Sequence, residues 1–139
     1  MATSAPHSTL RVHLHRSRGV VIGKEVLLGL NIFIDNVYPY LITISDGATL
    51  TGSHILPAHS KPAAHFKGSV QSFAAPVRIE ENVWTGIEAI VLPGVTVGEG
   101  YAIFAGSEVT RDVAPNHLVA GDGAGDVKEL KPDSNNAQH

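Results

Sequence analysis

The chain has 139 residues, 43% of them apolar, with 10 Lys and Arg against 13 Asp and Glu and a formal net charge of -3. That length makes one domain around one core, and the mild acidity argues against a nucleic-acid partner, which would show a basic face. With no cysteine, disulfides, thiolate metal sites and cysteine nucleophiles are excluded. The first ten residues (MATSAPHSTL) hold no apolar stretch of signal length, and no segment reaches the roughly 18 apolar residues of a membrane span. The expectation is a cytoplasmic protein without membrane contact.

Residues 1–9 are small and polar and residues 131–139 (KPDSNNAQH) polar with a proline, which predicts flexible ends. Leu10, Val12 and Leu14 alternate with Arg11, His13 and His15, and that period of two predicts a half-buried strand with a solvated basic face. From Val21 a period of six takes over: Ile22, Leu28 and Ile34 share one phase, Val26 and Ile32 a second. The stretch NVYPYL interrupts it before it resumes at Ile44 and Leu50, and an insertion containing proline predicts a loop at a turn. A larger break follows, a loop over residues 57–76 with little periodicity and two histidines, and long loops in small domains are often functional.

After the loop the repeat runs unbroken to Val113. Ile79, Thr85, Val91, Val97, Ile103 and Val109 form the first phase; Val83, Ala89, Val95, Tyr101, Ser107 and Val113 form the second. A period of six is too short for a helix pair and too regular for a sandwich, whose turn signals recur every 8 to 12 residues. It fits a coil of short strands whose inward residues stack into ladders, with glycines such as Gly23, Gly29, Gly86, Gly98 and Gly106 at the tight turns. The fold class is therefore all-β, a solenoid of hexapeptide units over residues 10–130 with one long protruding loop.

Asn82-Val83-Trp84 with Gly86, Leu92-Pro93-Gly94-Val95, Ala105-Gly106-Ser107 with Thr110-Arg111-Asp112, and Val119-Ala120-Gly121 together resemble the hexapeptide-repeat acyltransferases. The resemblance covers about residues 20–130 and is strongest to the maltose, galactoside and nodulation-factor O-acetyltransferase branch. It implies a left-handed parallel β-helix, acetyl-CoA as acyl donor, a hydroxylated small-molecule acceptor and a homotrimer. It also implies a histidine general base in the long loop, and His59 matches that position best, with His65 in reserve. Neutral imidazole suits the task because a hydroxyl is a poor nucleophile until its proton is taken. By the same resemblance Asn31 and Asp35 are substrate contacts, although corner-capping is an alternative for both. Trp84, Gly86, Ala105 and Gly106 match the groove for the pantetheine arm, and Thr110, Arg111 and Lys128 match positions around the nucleotide phosphates.

Three departures stand out. Gly125 occupies a position where the family carries a basic residue, Asp126 adds a negative charge beside it, and Thr85 replaces an aliphatic residue in the first phase. Two other function classes remain open. His54, His59 and His65 could be three imidazole ligands of a zinc site resembling γ-class carbonic anhydrase, and the altered C-terminal motif is compatible with a silent scaffold. His54 falls on the second phase and reads as structural.

Overall fold

The structure, a computed structural model, describes residues 7–60, 73–120 and 125–129. After helix α1 (Ser8–Ser17) the chain winds four coils, each of three short strands. Coil 1 holds β1 (Val21–Ile22), β2 (Leu27–Leu30) and β3 (Phe33–Ile34); coil 2 holds β4 (Ile42–Ile44), β5 (Thr49–Gly52) and β6 (Ile55–Leu56). An excursion with β7 (His59–Ser60) and β8 (Phe73–Ala74) precedes coil 3, made of β9 (Val77–Ile79), β10 (Trp84–Thr85) and β11 (Ile90–Val91). Coil 4 holds β12 (Thr96–Val97), β13 (Ala102–Ile103) and β14 (Glu108–Val109), and β15 (His117–Ala120) and β16 (Gly125–Glu129) close the described chain.

Stacking of the coils makes three parallel sheets, in the orders β1-β4-β9-β12, β2-β5-β10-β13-β15 and β3-β6-β11-β14. β16 joins the second sheet antiparallel to β15. The six-residue period is the geometric cause: each strand and its corner use one unit, so equivalent residues of successive coils come into register. Leu28 lies beside Leu50, Leu50 beside Thr85 and Thr85 beside Ile103. Both phases read from the sequence are buried, from Ile79 to Val109 and from Val83 to Val113. Each fully buried aliphatic side chain adds about 1.5–3 kcal/mol relative to exposure.

Two of the three corners turn through left-handed backbone in every coil. Between the first and second sheets the turning residues are Glu25, Gly47, Asn82, Gly100 and Asn116; between the second and third they are Asn31, Ser53, Glu88 and Gly106. Asn and Gly suit this conformation, the former because its short polar side chain tolerates it and the latter because it lacks a Cβ. Gly86 serves a different purpose. A Cβ there would lie 2.5 Å from the Ala105 nitrogen of the next coil, so its lack of a side chain sets the stacking distance.

Residues 8–17 form a helix, not the expected strand. The buried residues are Arg11, Val12 and His15, which share a helical face, whereas Leu10 is exposed. The alternation misled because the buried face of this helix is partly polar. Its side chains bond the open lower edge of coil 1: Arg11 Nε donates to Leu28 O at 2.9 Å, Arg16 Nε to Ile22 O at 3.0 Å, and an Arg18 nitrogen to Ile34 O at 3.1 Å. The Ser8 hydroxyl accepts from Leu28 N at 2.9 Å. One arginine thus serves the edge strand of each sheet, satisfying carbonyls that would otherwise offer a template for strand addition. His15 lies beneath, its pKa lowered to about 4 by burial and by the neighbouring Arg18 charge.

Within the expected loop over residues 57–76, the described residues form a two-stranded antiparallel ladder pairing His59 with Ala74 and Ser60 with Phe73, and residues 61–72 lie outside the described residues. The smaller insertion contains a 3-10 turn, Pro39–Leu41. Of the ends expected to be flexible, residues 1–9 and 131–139, Ser8 and Thr9 instead begin α1, and residues 1–6 and 131–139 lie outside the described residues.

Candidate active site

Both interruptions of the repeat fall at the third corner, where the chain passes from the third sheet to the first sheet of the next coil. In coil 1 this corner is built by residues after Ile34, in coil 2 by residues after Leu56. Because Ile34 and Leu56 are register partners, the two insertions emerge one above the other. Asp35 and His59 meet there.

The Asp35 carboxylate is 1% exposed and accepts four hydrogen bonds. Oδ1 accepts from Val37 N and Tyr38 N, each at 2.8 Å, and Oδ2 accepts from Ala58 N at 2.7 Å and from His59 Nδ1 at 2.5 Å. Burial pushes this carboxyl up, but the amides of Tyr38 and Ala58, the His59 ring and the Val37 amide outweigh it and hold the pKa at about 2. An ionised carboxylate only accepts, so His59 Nδ1 must carry a proton. In the neutral ring Nε2 is then the acceptor, on a side chain that remains 29% exposed. Tyr38 packs edge-on against His59, with centroids 5.5 Å apart and planes at 72°.

Asp35 was expected to contact substrate. It is instead buried beneath His59 with both oxygens engaged, because a carboxylate at this corner is the acceptor that two adjacent turns require. Asn31 is exposed at the second corner, with φ 57. His65 lies outside the described residues.

His54 is fully inside the coil. Its Nδ1 donates to Gly52 O at 2.6 Å, and its Nε2 accepts from the hydroxyl of Thr85. Burial lowers its pKa, only partly opposed by the Gly52 carbonyl. Thr85 is therefore the partner of a buried imidazole. With both ring nitrogens engaged, His54 has no lone pair to offer a metal, and among the described residues no cluster of three or more His, Cys, Asp or Glu side chains could hold one.

The residues matched to the donor site fall into three places. Trp84, 44% exposed, stands on the outer face of the second sheet between Thr49 and Ala102, and Gly86, Ala105 and Gly106 continue from it to the second corner. Thr110 and Arg111 are exposed at the third corner of coil 4, where Asp112 accepts from Thr96 N at 2.7 Å. Lys128 lies on β16, its backbone paired with Leu118. Phe33 and Ile55, exposed register partners on the third sheet, lie between these two corners.

No family model matches the chain. The galactoside O-acetyltransferase of Escherichia coli is 32% identical over 111 residues, 79% of this chain and 54% of that protein. Among solved structures, a hexapeptide-repeat acetyltransferase from Vibrio cholerae O1 biovar eltor complexed with acetyl coenzyme A has a TM-score of 0.77 at 23% identity, covering 94% of this chain and 82% of that one. A galactoside acetyltransferase in complex with coenzyme A has a TM-score of 0.70 at 26% identity, covering 92% and 74%. The three stacked sheets and these likenesses define a left-handed parallel β-helix. In sequence and fold the chain is similar to the hexapeptide-repeat acetyltransferases, a galactoside O-acetyltransferase among them. It spans about half the length of the curated relatives it matches, 44% and 54% of the first two.

Proposed function

We propose that the protein is an acetyl-CoA-dependent O-acetyltransferase acting on a hydroxyl of a saccharide or similar small molecule. The observation that carries this reading is the Asp35–His59 pair, a buried ionised carboxylate holding one imidazole nitrogen protonated and leaving the other as a base at the surface. His59 Nε2 takes the acceptor's hydroxyl proton as its oxygen attacks the thioester carbonyl. The tetrahedral adduct collapses by breaking the carbon–sulfur bond, and the departing thiolate takes the proton back from Nε2. Asp35 orients the ring and stabilises the transient imidazolium without itself being protonated. With no cysteine in the chain, direct transfer in a ternary complex is the simpler route.

The galactoside relative and the coenzyme A complex of a neighbour support the choice of acceptor and donor. Trp84, Gly86, Ala105 and Gly106 would receive the pantetheine arm, and Thr110, Arg111 and Lys128 the phosphates. Release of free thiol from acetyl-CoA, dependent on an added saccharide, tests the proposal; no release with any hydroxylated acceptor would overturn it. Arg111→Ala should raise the KM for acetyl-CoA several-fold with little change in kcat, because a phosphate contact remote from the thioester binds ground and transition states alike. An unchanged KM removes Arg111 from the donor site.

The same reading includes a homotrimer in which the loop of one subunit meets the coil of the next. Its support is the exposed apolar strip of Phe33, Ile55, Leu30 and Ile87 around the third sheet, which association would cover. Light scattering at micromolar concentration should give three times the chain mass, and a stable monomer would remove the shared site.

A further inference from the structure

We propose that Tyr38 and Tyr40 form the acceptor-binding face of the site and select an uncharged acceptor whose hydroxyl stands beside an apolar ring face, as in a pyranose. This deepens the acetyltransferase reading and rests on it. The first argument is positional. Oδ1 of Asp35 holds the amide of Tyr38 while Oδ2 holds His59, so one buried carboxylate sets the tyrosine and the base in fixed relation. Tyr38 is partly buried against the core, and its ring meets His59 edge-on.

A second argument comes from exposure. Tyr40 stands edge-to-face with Tyr38 at 6.1 Å and 81°, yet is 60% exposed, and Val37 is 54% exposed. Because the two planes are nearly perpendicular, the pair forms an angled apolar wall, Tyr38 against the base and Tyr40 in solvent, with a polar hydroxyl tip on each ring. Pro39 between them begins the 3-10 turn and restricts the backbone, so the rings are presented with little freedom to lose on binding. The third argument is charge. The segment Asn36-Val37-Tyr38-Pro39-Tyr40-Leu41 carries no formal charge, and the adjacent carboxylate is already saturated by hydrogen bonds. A zwitterionic acceptor would find no counter-charge in this wall.

The test uses the full chain with saturating acetyl-CoA and three acceptors: p-nitrophenyl β-galactoside, glycerol and L-serine. Tyr40→Ala should raise the KM for the galactoside about ten-fold while leaving the KM for glycerol within about two-fold, since only the ring-bearing acceptor loses stacked area. Tyr38→Phe should keep the preference for the galactoside over glycerol, and Tyr38→Leu should lower it. An unchanged galactoside KM in Tyr40→Ala, or a higher kcat/KM for L-serine than for the galactoside, overturns the proposal. So does a change of oligomeric state in Tyr40→Ala by light scattering, which would make the ring an interface residue. Calorimetric binding of the galactoside to the His59→Asn variant separates this proposal from the catalytic one. Binding that is weakened by adding Tyr40→Ala supports the face even if no acetyl transfer is found, and binding indifferent to Tyr40 removes the face even if transfer occurs.

Discussion

Replacing His59 by Ala or Asn should lower kcat for acetyl transfer by about 10²- to 10⁴-fold, the usual contribution of a general base. KM for acetyl-CoA should move little, since the ring touches the reacting hydroxyl and not the nucleotide. An exposed loop histidine would leave thermal stability untouched, but this one donates to a buried carboxylate. Its removal should therefore also cost about 1–2 kcal/mol, less in the Asn variant, which keeps a donor. Steady-state kinetics and thermal denaturation read both effects. Near-parental turnover in these variants, together with its loss in His65→Ala, would move the base to His65.

Asp35→Asn is the second large effect. The amide can present its NH2 group to His59 Nδ1, which stabilises the other tautomer and places the proton on Nε2, where an acceptor is needed. A loss of about 10²-fold or more in kcat follows, by the same logic that disables hydrolytic triads when their aspartate becomes asparagine. Stability changes too, with a definite sign. The folded pKa of about 2 lies below the reference value of 3.8. Asp35 therefore stabilises the fold fully above the ordinary carboxylate range and progressively less as pH falls toward 2. The shift corresponds to about 2 kcal/mol at neutral pH. The Asp35→Asn variant should lose that amount at pH 7 and show a shallower decline between about pH 5 and 2 in denaturant titrations. Parental kcat in this variant would mean that the carboxylate is structural only.

The coil was legible because one physical constraint, inward packing at each stacked strand, repeats without variation from Ile79 to Val113. The N-terminal helix was not, because Arg11 and His15 are buried for hydrogen bonding and so disguise the helical face as an alternating polar one. His59 stood out as a candidate base only through resemblance, since nothing local in Pro57-Ala58-His59 marks one. The role of Asp35 needed register: its partner is 24 residues away, and only the pairing of Ile34 with Leu56 brings them together. That signal existed in the sequence, since both insertions follow first-phase residues of consecutive coils. Thr85 looked like a defect because its partner, His54, sits in the preceding coil.

The arginines of α1 bond carbonyl oxygens of coil 1, and a carbonyl is the same group in every coil whatever its side chains. Such a lid places few demands on the sequence beneath it. The pair Asp35 and His59 is the opposite, for it ties two particular coils at one fixed spacing. A whole coil inserted above coil 4 would leave lid and base pair intact and lengthen the protein by about 4.8 Å, the distance between neighbouring strands. The same insertion between coils 1 and 2 would pull the carboxylate away from its imidazole by that distance, beyond any hydrogen bond. The molecule thus contains a stretch whose length can vary and a stretch whose length cannot, and the boundary between them runs immediately above His59.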